Sequence, residues 1–291
     1  MRAGSKSFHA ASLLLPSRIR RPAAAVYAFC RVSDDAVDLA DNPGRALAGL
    51  HERLDRIYDG VPNNDPVDRL LADVVTQYHV PKTLFEALLD GYLWDVEGRR
   101  YETLSGVMAY SARVASAVGA IMTVLMGRRE AHVMARACDL GVAMQLTNIC
   151  RDVGEDARAG RIYLPLSWMR DAGIEPEIWL RNPVHSDALG DVVRRVLERA
   201  AELYRRADVG ITYLPRDCRV SIRAASLIYA DIGRVIVRNG YDSVSQRAVT
   251  TGKRKLWLAL RAIGATFWAE QRCEDPALGE TRFLVESIAQ G

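Results

Sequence analysis

Cysteine is scarce in this sequence and never paired: Cys30, Cys138, Cys150, Cys218 and Cys273 are odd in number and form no CxxC. That excludes a disulfide framework and a zinc site and points to a reducing compartment. An excess of one charge is also missing. A formal net charge of +3 over 291 residues gives no basic field of the kind that binds nucleic acid, so no nucleic-acid partner is expected. Long apolar runs are lacking too. The opening MRAGSKSFHAASLLLP has only Leu13 to Leu15, too short for a secretory core. The most apolar long stretch, Val107 to Met126, is broken by Ser111, Arg113 and Ser116. It reads as a buried helix, since a spanning one needs about 20 largely uncharged residues. A soluble, cytoplasmic protein is expected. Strand-like alternation is nearly absent, no long linker divides the chain, and no Gly-rich phosphate loop or nucleophile triad is present. The lone His79, His132 and His185 read as surface or packing residues.

What remains is helical periodicity, with 49% hydrophobic residues to build a core. Helices are predicted over roughly Pro22–Asp41, Ala46–Tyr58, Asp65–Tyr78, Lys82–Arg99, Ser105–Met126, Ala131–Ala157, Ser186–Leu214 and Arg219–Asn239. A final one is predicted from about Thr251 to the Cys273 region. Pro16 and Pro22, Pro43-Gly44, Pro62-Asn63-Asn64, Gly160 and Pro165 punctuate them. One all-α domain over residues 1–291 follows. Ala112, Ala115, Ala117, Gly119 and Ala120 crowd one predicted helix, either for close packing or to keep a wall thin beside a long apolar ligand.

Two strings carry chemistry. In Tyr27-Ala-Phe-Cys-Arg-Val-Ser-Asp-Asp-Ala-Val-Asp38, Asp34 and Asp38 are four apart and share a helical face, while Asp35 lies about 100° away. In Gln145-Leu-Thr-Asn-Ile-Cys-Arg-Asp-Val-Gly-Glu-Asp156, Asn148, Asp152 and Asp156 recur every fourth residue, and Gln145 extends the stripe by three. Leu146, Ile149 and Val153 form the opposite, apolar side. A solvated face would explain acids, but it would not favour Asn and Gln among them, nor Asp, a poor helix former. Neither stripe has an evident positive partner other than a metal. Oxygen ligands without Cys or clustered His suit Mg²⁺, which keeps waters and is completed by substrate phosphate; Mn²⁺ is the near substitute.

These strings resemble the squalene/phytoene synthase family. The resemblance runs from Ser5-Lys-Ser-Phe8 and Leu-Leu-Pro16 through Tyr27–Arg31 and Asp34–Asp38. It continues through Gln145–Pro165 and Arg223-Ala-Ala-Ser-Leu-Ile-Tyr229, and so spans nearly the whole chain. The opening SKSF and the DDAVD favour the phytoene-type branch. The resemblance implies a helical isoprenoid-synthase bundle with a central cavity between two acidic helices. It further implies that Asp34, Asp38, Asn148, Asp152 and Asp156 hold Mg²⁺. Gly4, Ser5, Lys6 and Ser7 match a flap that contacts diphosphate, and Tyr27, Arg31, Gln145, Arg151 and Tyr229 match further substrate-contacting positions; Asp34, Asp38, Asp152, Asp156, Tyr27 and Arg31 are the expected catalytic set. Phe8, Tyr27, Phe29 and Tyr229 are candidate faces for an allylic cation. The implied reaction is head-to-head condensation of two geranylgeranyl diphosphates through a cyclopropyl diphosphate to a C40 triene. The alternatives are a squalene-type enzyme acting on farnesyl diphosphate, or an inert relative serving as a scaffold.

The segment Lys253-Arg-Lys-Leu-Trp-Leu-Ala-Leu-Arg261 sets cations beside apolar residues, with Phe267 and Trp268 further on. It reads either as the rim of the core or as a helix lying on an anionic membrane surface, a peripheral and salt-sensitive contact.

Overall fold

The computed structural model of the protein describes residues 14–269, 272 and 275–289, and every described element is helical. In chain order these are α1 (Ser17–Asp38), α2 (Pro43–Tyr58), α3 (Pro66–Tyr78), α4 (Lys82–Val96), α5 (Leu104–Ser111), α6 (Ala117–Leu125) and α7 (Ala131–Arg158). Then come α8 (Leu166–Asp171), α9 (Pro176–Arg181), α10 (Asp187–Ile211), α11 (Arg216–Arg238), α12 (Gly252–Ala262) and α13 (Arg282–Ala289). The all-α expectation holds, with differences at element ends. Pro22 stands inside α1 instead of opening it. Its ring removes the donor that the Arg18 carbonyl would receive one turn back, and the Tyr78 hydroxyl donates to that carbonyl instead at 3.3 Å. Side chains cap other starts: Asn42 accepts from the Arg45 N–H, and Asp65 from the N–H groups of Val67 and Asp68.

The helix predicted over Ser105–Met126 is real but interrupted, because one π-turn, Ala112–Ser116, separates α5 from α6. This stretch, Leu104–Leu125, is long and apolar enough to cross a membrane by composition, yet two thirds of its most apolar 18 residues are buried among the other helices. The final predicted helix stops at Ala262, followed by a 3-10 turn at Ile263–Phe267. The six-residue α8 and α9 and the terminal α13 escaped periodicity, being too short to display it.

α7 is the central helix, packing most extensively on α10 and also on α6, α11 and the π-turn. Glycine permits the approach of the π-turn: a Cβ on Gly141 would stand 2.5 Å from the Ser116 Cα. The small-residue cluster divides between the two roles expected of it. Ala112, Ala117 and Ala120 are fully buried in helix packing, whereas Ala115 and Gly119 line a cavity beside α7.

Candidate active site

The C-terminal half of α7 carries its oxygen stripe between two spaces. On one side is an elongated apolar cavity of about 320 Å³, walled by α1, the π-turn and α6, α7, α10 and α11. On the other is a polar pocket of about 130 Å³ lined by Asn148, Arg151, Asp152 and Asp156. Gln145 and Asn148 line both, so the pocket is the polar head of a long greasy slot. Tyr27 and Cys30 of α1 and Tyr229 of α11 close on the cavity from the opposite walls. Phe29 does not; it is fully buried, edge-on to Phe85 at 5.6 Å, and serves the core. Gly4, Ser5, Lys6, Ser7 and Phe8 lie outside the described residues.

The expectation that the acids lack positive partners is corrected by the structure. Arg31 donates to Asp34 at 3.2 Å and to Asp35 at 2.5 Å. Arg151 donates to both oxygens of Asp152, at 2.8 and 2.5 Å, and Arg247 Nε reaches the same carboxylate at 2.8 Å and Glu155 at 3.0 Å. Burial pushes the Asp152 carboxyl up, but hydrogen bonds and charge from Arg151, then Arg247, outweigh it and hold the group below the usual range. Arginine, with its planar fork, is the side chain that can hold a carboxylate or a phosphate in the same way.

Two local devices deliver these arginines. At the end of α7, Gly160 takes a left-handed φ of 77°, and the Arg161 N–H bonds back to the Asp156 carbonyl at 2.9 Å. The reversal brings the Arg161 guanidinium to 3.7 Å from Asp38, linking the second acidic helix to the first. Within α7, the Gly154 N–H donates to the Ser243 carbonyl at 2.9 Å, and a Cβ there would stand 2.5 Å from the Val244 oxygen. Only glycine admits that loop so closely, and the loop carries Arg247 to Asp152.

Residues that sequence reasoning missed complete the pocket. Tyr110 and Tyr163 line it with rings stacked at 5.1 Å, and both hydroxyls donate to Asp95, at 2.8 and 2.5 Å. Burial, reinforced by Asp95, pushes both phenols far up, so they stay neutral donors. Asp34 and Asp38 line neither space; they lie on α1 beyond Tyr27 and Cys30.

The oxygen donors fit a hard divalent cation. The Asn148 Oδ1 is buried yet has no hydrogen-bond partner among the described residues, while its amide Nδ2 donates to Gln145 at 3.3 Å. An acceptor without a donor, one turn from Asp152, is what a cation would satisfy. Among the described residues no three carboxylate, imidazole or thiolate groups form a cage for a metal ion.

The chain as a whole is similar to known proteins. The chain is 55% identical over 276 residues to a phytoene synthase of Cereibacter sphaeroides, covering 91% of this chain and 78% of that one. It is 38% identical over 289 residues to a 15-cis-phytoene synthase of Paracoccus sp., covering 96% and 92%. Among solved structures, a dehydrosqualene synthase in complex with ligand superposes with a TM-score of 0.81 at 32% identity, over 89% of this chain and 90% of that one. The sequence profile described as squalene/phytoene synthase matches residues 1–255, and the chain belongs to that family.

Proposed function

We propose that the protein condenses two geranylgeranyl diphosphates head to head to phytoene, the entry step of carotenoid synthesis. The observation that carries this reading is the junction at Gln145 and Asn148. There, a polar pocket lined by two acids and Arg151 adjoins a long apolar cavity, matching a ligand with a diphosphate head and a prenyl tail. The phytoene synthase names of close relatives support the same reaction. A bound Mg²⁺, or Mn²⁺, held by Asn148, Asp152 and Asp156 with Asp34 and Asp38, would act as a Lewis acid on the leaving diphosphate.

The chain's own groups do the rest. Arg31, Arg151 and Arg247 offer forks to phosphate oxygens as negative charge develops there. The apolar walls keep water from the allylic cation that remains. Tyr27 and Tyr229 line the cavity, and an aromatic ring turned face-on to a nearby cation is worth about 0.5–2 kcal/mol. The cation is captured by the double bond of the second substrate, and loss of a proton closes the cyclopropyl diphosphate; its diphosphate then leaves, and the cation that remains rearranges and loses a second proton. Purified protein incubated with Mg²⁺ and either geranylgeranyl or farnesyl diphosphate, with and without NADPH, tests this. Phytoene from the longer substrate without NADPH is expected. A much higher kcat/KM for farnesyl diphosphate, or squalene formed with NADPH, would assign the squalene-type reaction instead.

The apolar product needs a place to go, and α12 offers one on the cytoplasmic side of an anionic membrane. The segment has a buried side and an exposed side. Leu258 and Ala262 are fully buried, while Leu256, Trp257, Leu260, Ile263 and Phe267 are exposed on one stripe, Phe267 at 84%. Arg254 and Arg261 stack on Trp257 at 4.3 and 4.8 Å, placing cations beside the apolar stripe. Arg254 also holds the fully buried Asp231 at 2.9 Å, so its removal would leave a buried acid with reduced pairing. The informative variant therefore spares it. Lys253→Glu with Leu260→Ser and Phe267→Ser should lose most sedimentation with anionic vesicles at low salt while keeping its helix content. Equal binding by variant and wild type would assign these residues to the rim alone.

A further inference from the structure

The apolar cavity has two unlike ends. One is the polar mouth at Gln145 and Asn148. The other is built from Met126, Val133, Leu214 and the aliphatic stem of Arg136, none more than 5% exposed. Val133 and Asn148 are fifteen residues apart on α7, so the cavity follows the helix for about 22 Å. The residues of the far end are buried, and two features make it a firm wall.

First, Arg136 borders the cavity with its stem while its head is engaged elsewhere. Nε lies 2.9 Å from Asp139, and the two terminal nitrogens donate to the carbonyls of Asp275 and Pro276 at 3.2 and 3.1 Å. Arg206 of α10 grips the same Asp139 and the same Pro276 carbonyl, at 2.9 and 2.8 Å. Two arginines thus tie a strap from the C-terminal segment across the back of α7 and α10. Second, α10 presses on the stem through a glycine: a Cβ on Gly210 would stand 2.3 Å from the Arg136 Cβ. The stem has little room to retreat.

We propose that this end is the stop that sets prenyl chain length, with Val133 the residue whose size selects between tails of four and three isoprene units. The inference rests on the condensation proposed above and adds the residue that chooses the substrate. Val133 borders the void directly, so a larger side chain can extend into empty space and take length from the slot. A methylene more or less in an apolar pocket changes discrimination by about 10–200-fold.

The experiment gives wild type and Val133→Phe equal concentrations of geranylgeranyl and farnesyl diphosphates in competition. Condensed products are resolved by mass, and helix content is read by circular dichroism. The ratio of shorter to longer product should rise at least about tenfold in Val133→Phe, with kcat/KM for farnesyl diphosphate held within a few fold. An unchanged ratio in a folded Val133→Phe protein overturns the stop. If that variant does not fold, Val133→Leu carries the test, and a smaller shift in the same direction is required of it. Failure of wild type to condense either substrate would remove the functional reading itself. Activity in wild type without a shift in the variants would remove only the stop.

Discussion

Asp152→Asn should lower turnover of geranylgeranyl diphosphate by about 10²–10³-fold while leaving the helical circular dichroism unchanged. Asp152 sits at the one place where pocket, arginines and stripe coincide, and two guanidiniums converge on its carboxylate. The amide is isosteric but carries no charge, so the pocket loses the carboxylate proposed to hold a cation and both arginines lose their counter-charge. Asp38→Asn and Asp34→Asn should cause losses of the same order. Asp35→Asn should be milder, since its side chain is nearly half exposed and lies off the face that Asp34 and Asp38 share. Equal damage at Asp35 would show that the working face of α1 is rotated from this assignment. The pH dependence is fixed in sign. Because the Asp152 carboxyl is held below its usual range, its contribution to stability is fully present above about pH 4. It is lost only as pH falls through the lower folded value. Asp152 therefore stays ionised through mildly acid and neutral pH, and an acid limb of activity in that range belongs to another group.

Removing divalent metal should abolish product formation altogether. With a chelator in excess, the pocket has only arginines to stabilise the leaving diphosphate, and these are already engaged by Asp34, Asp35, Asp152 and Glu155. Several kcal/mol of charge stabilisation would be missing at the point of ionisation, enough to take the rate below detection. Mg²⁺ in excess of chelator should restore it, as should Mn²⁺. The measurement is product mass against free metal concentration. Full activity in chelator would mean that the arginines alone suffice and that the oxygen stripe has another purpose.

The stripe on α7 was legible because it is local. Asn148, Asp152 and Asp156 share a face by helical arithmetic alone, and that face borders the pocket. Tyr27, Gln145 and Tyr229 were placed by resemblance, and all three line the cavity. The arginines on the acids were only half legible. Arg31 and Arg151 are sequence neighbours of their partners, but Arg247 reaches Asp152 across 95 positions and Arg161 reaches Asp38 from another turn of chain. No periodicity reports such a meeting. The nearest signals were Gly154 inside the acidic string and Gly160 just before Arg161, each a residue whose missing Cβ allows the approach. Tyr110, Tyr163 and Asp95 escaped because nothing distinguishes a lone tyrosine in a core helix from one with its hydroxyl fixed beside a pocket. The π-turn was hidden by its composition, which is that of any good helix.

The arginines that cover the acids make recognition of head group and cation a matter of exchange. A guanidinium fork that turns to a phosphate releases a carboxylate, and a released carboxylate is free to take a cation. On the function proposed above, diphosphate and cation would therefore not compete for this pocket; each would undo the pairing that obstructs the other. Thermodynamic reciprocity then requires that the factor by which one strengthens the other be the same in both directions, with every 1.4 kcal/mol of such coupling worth about tenfold. A protein built this way holds either component weakly by itself and the two together firmly.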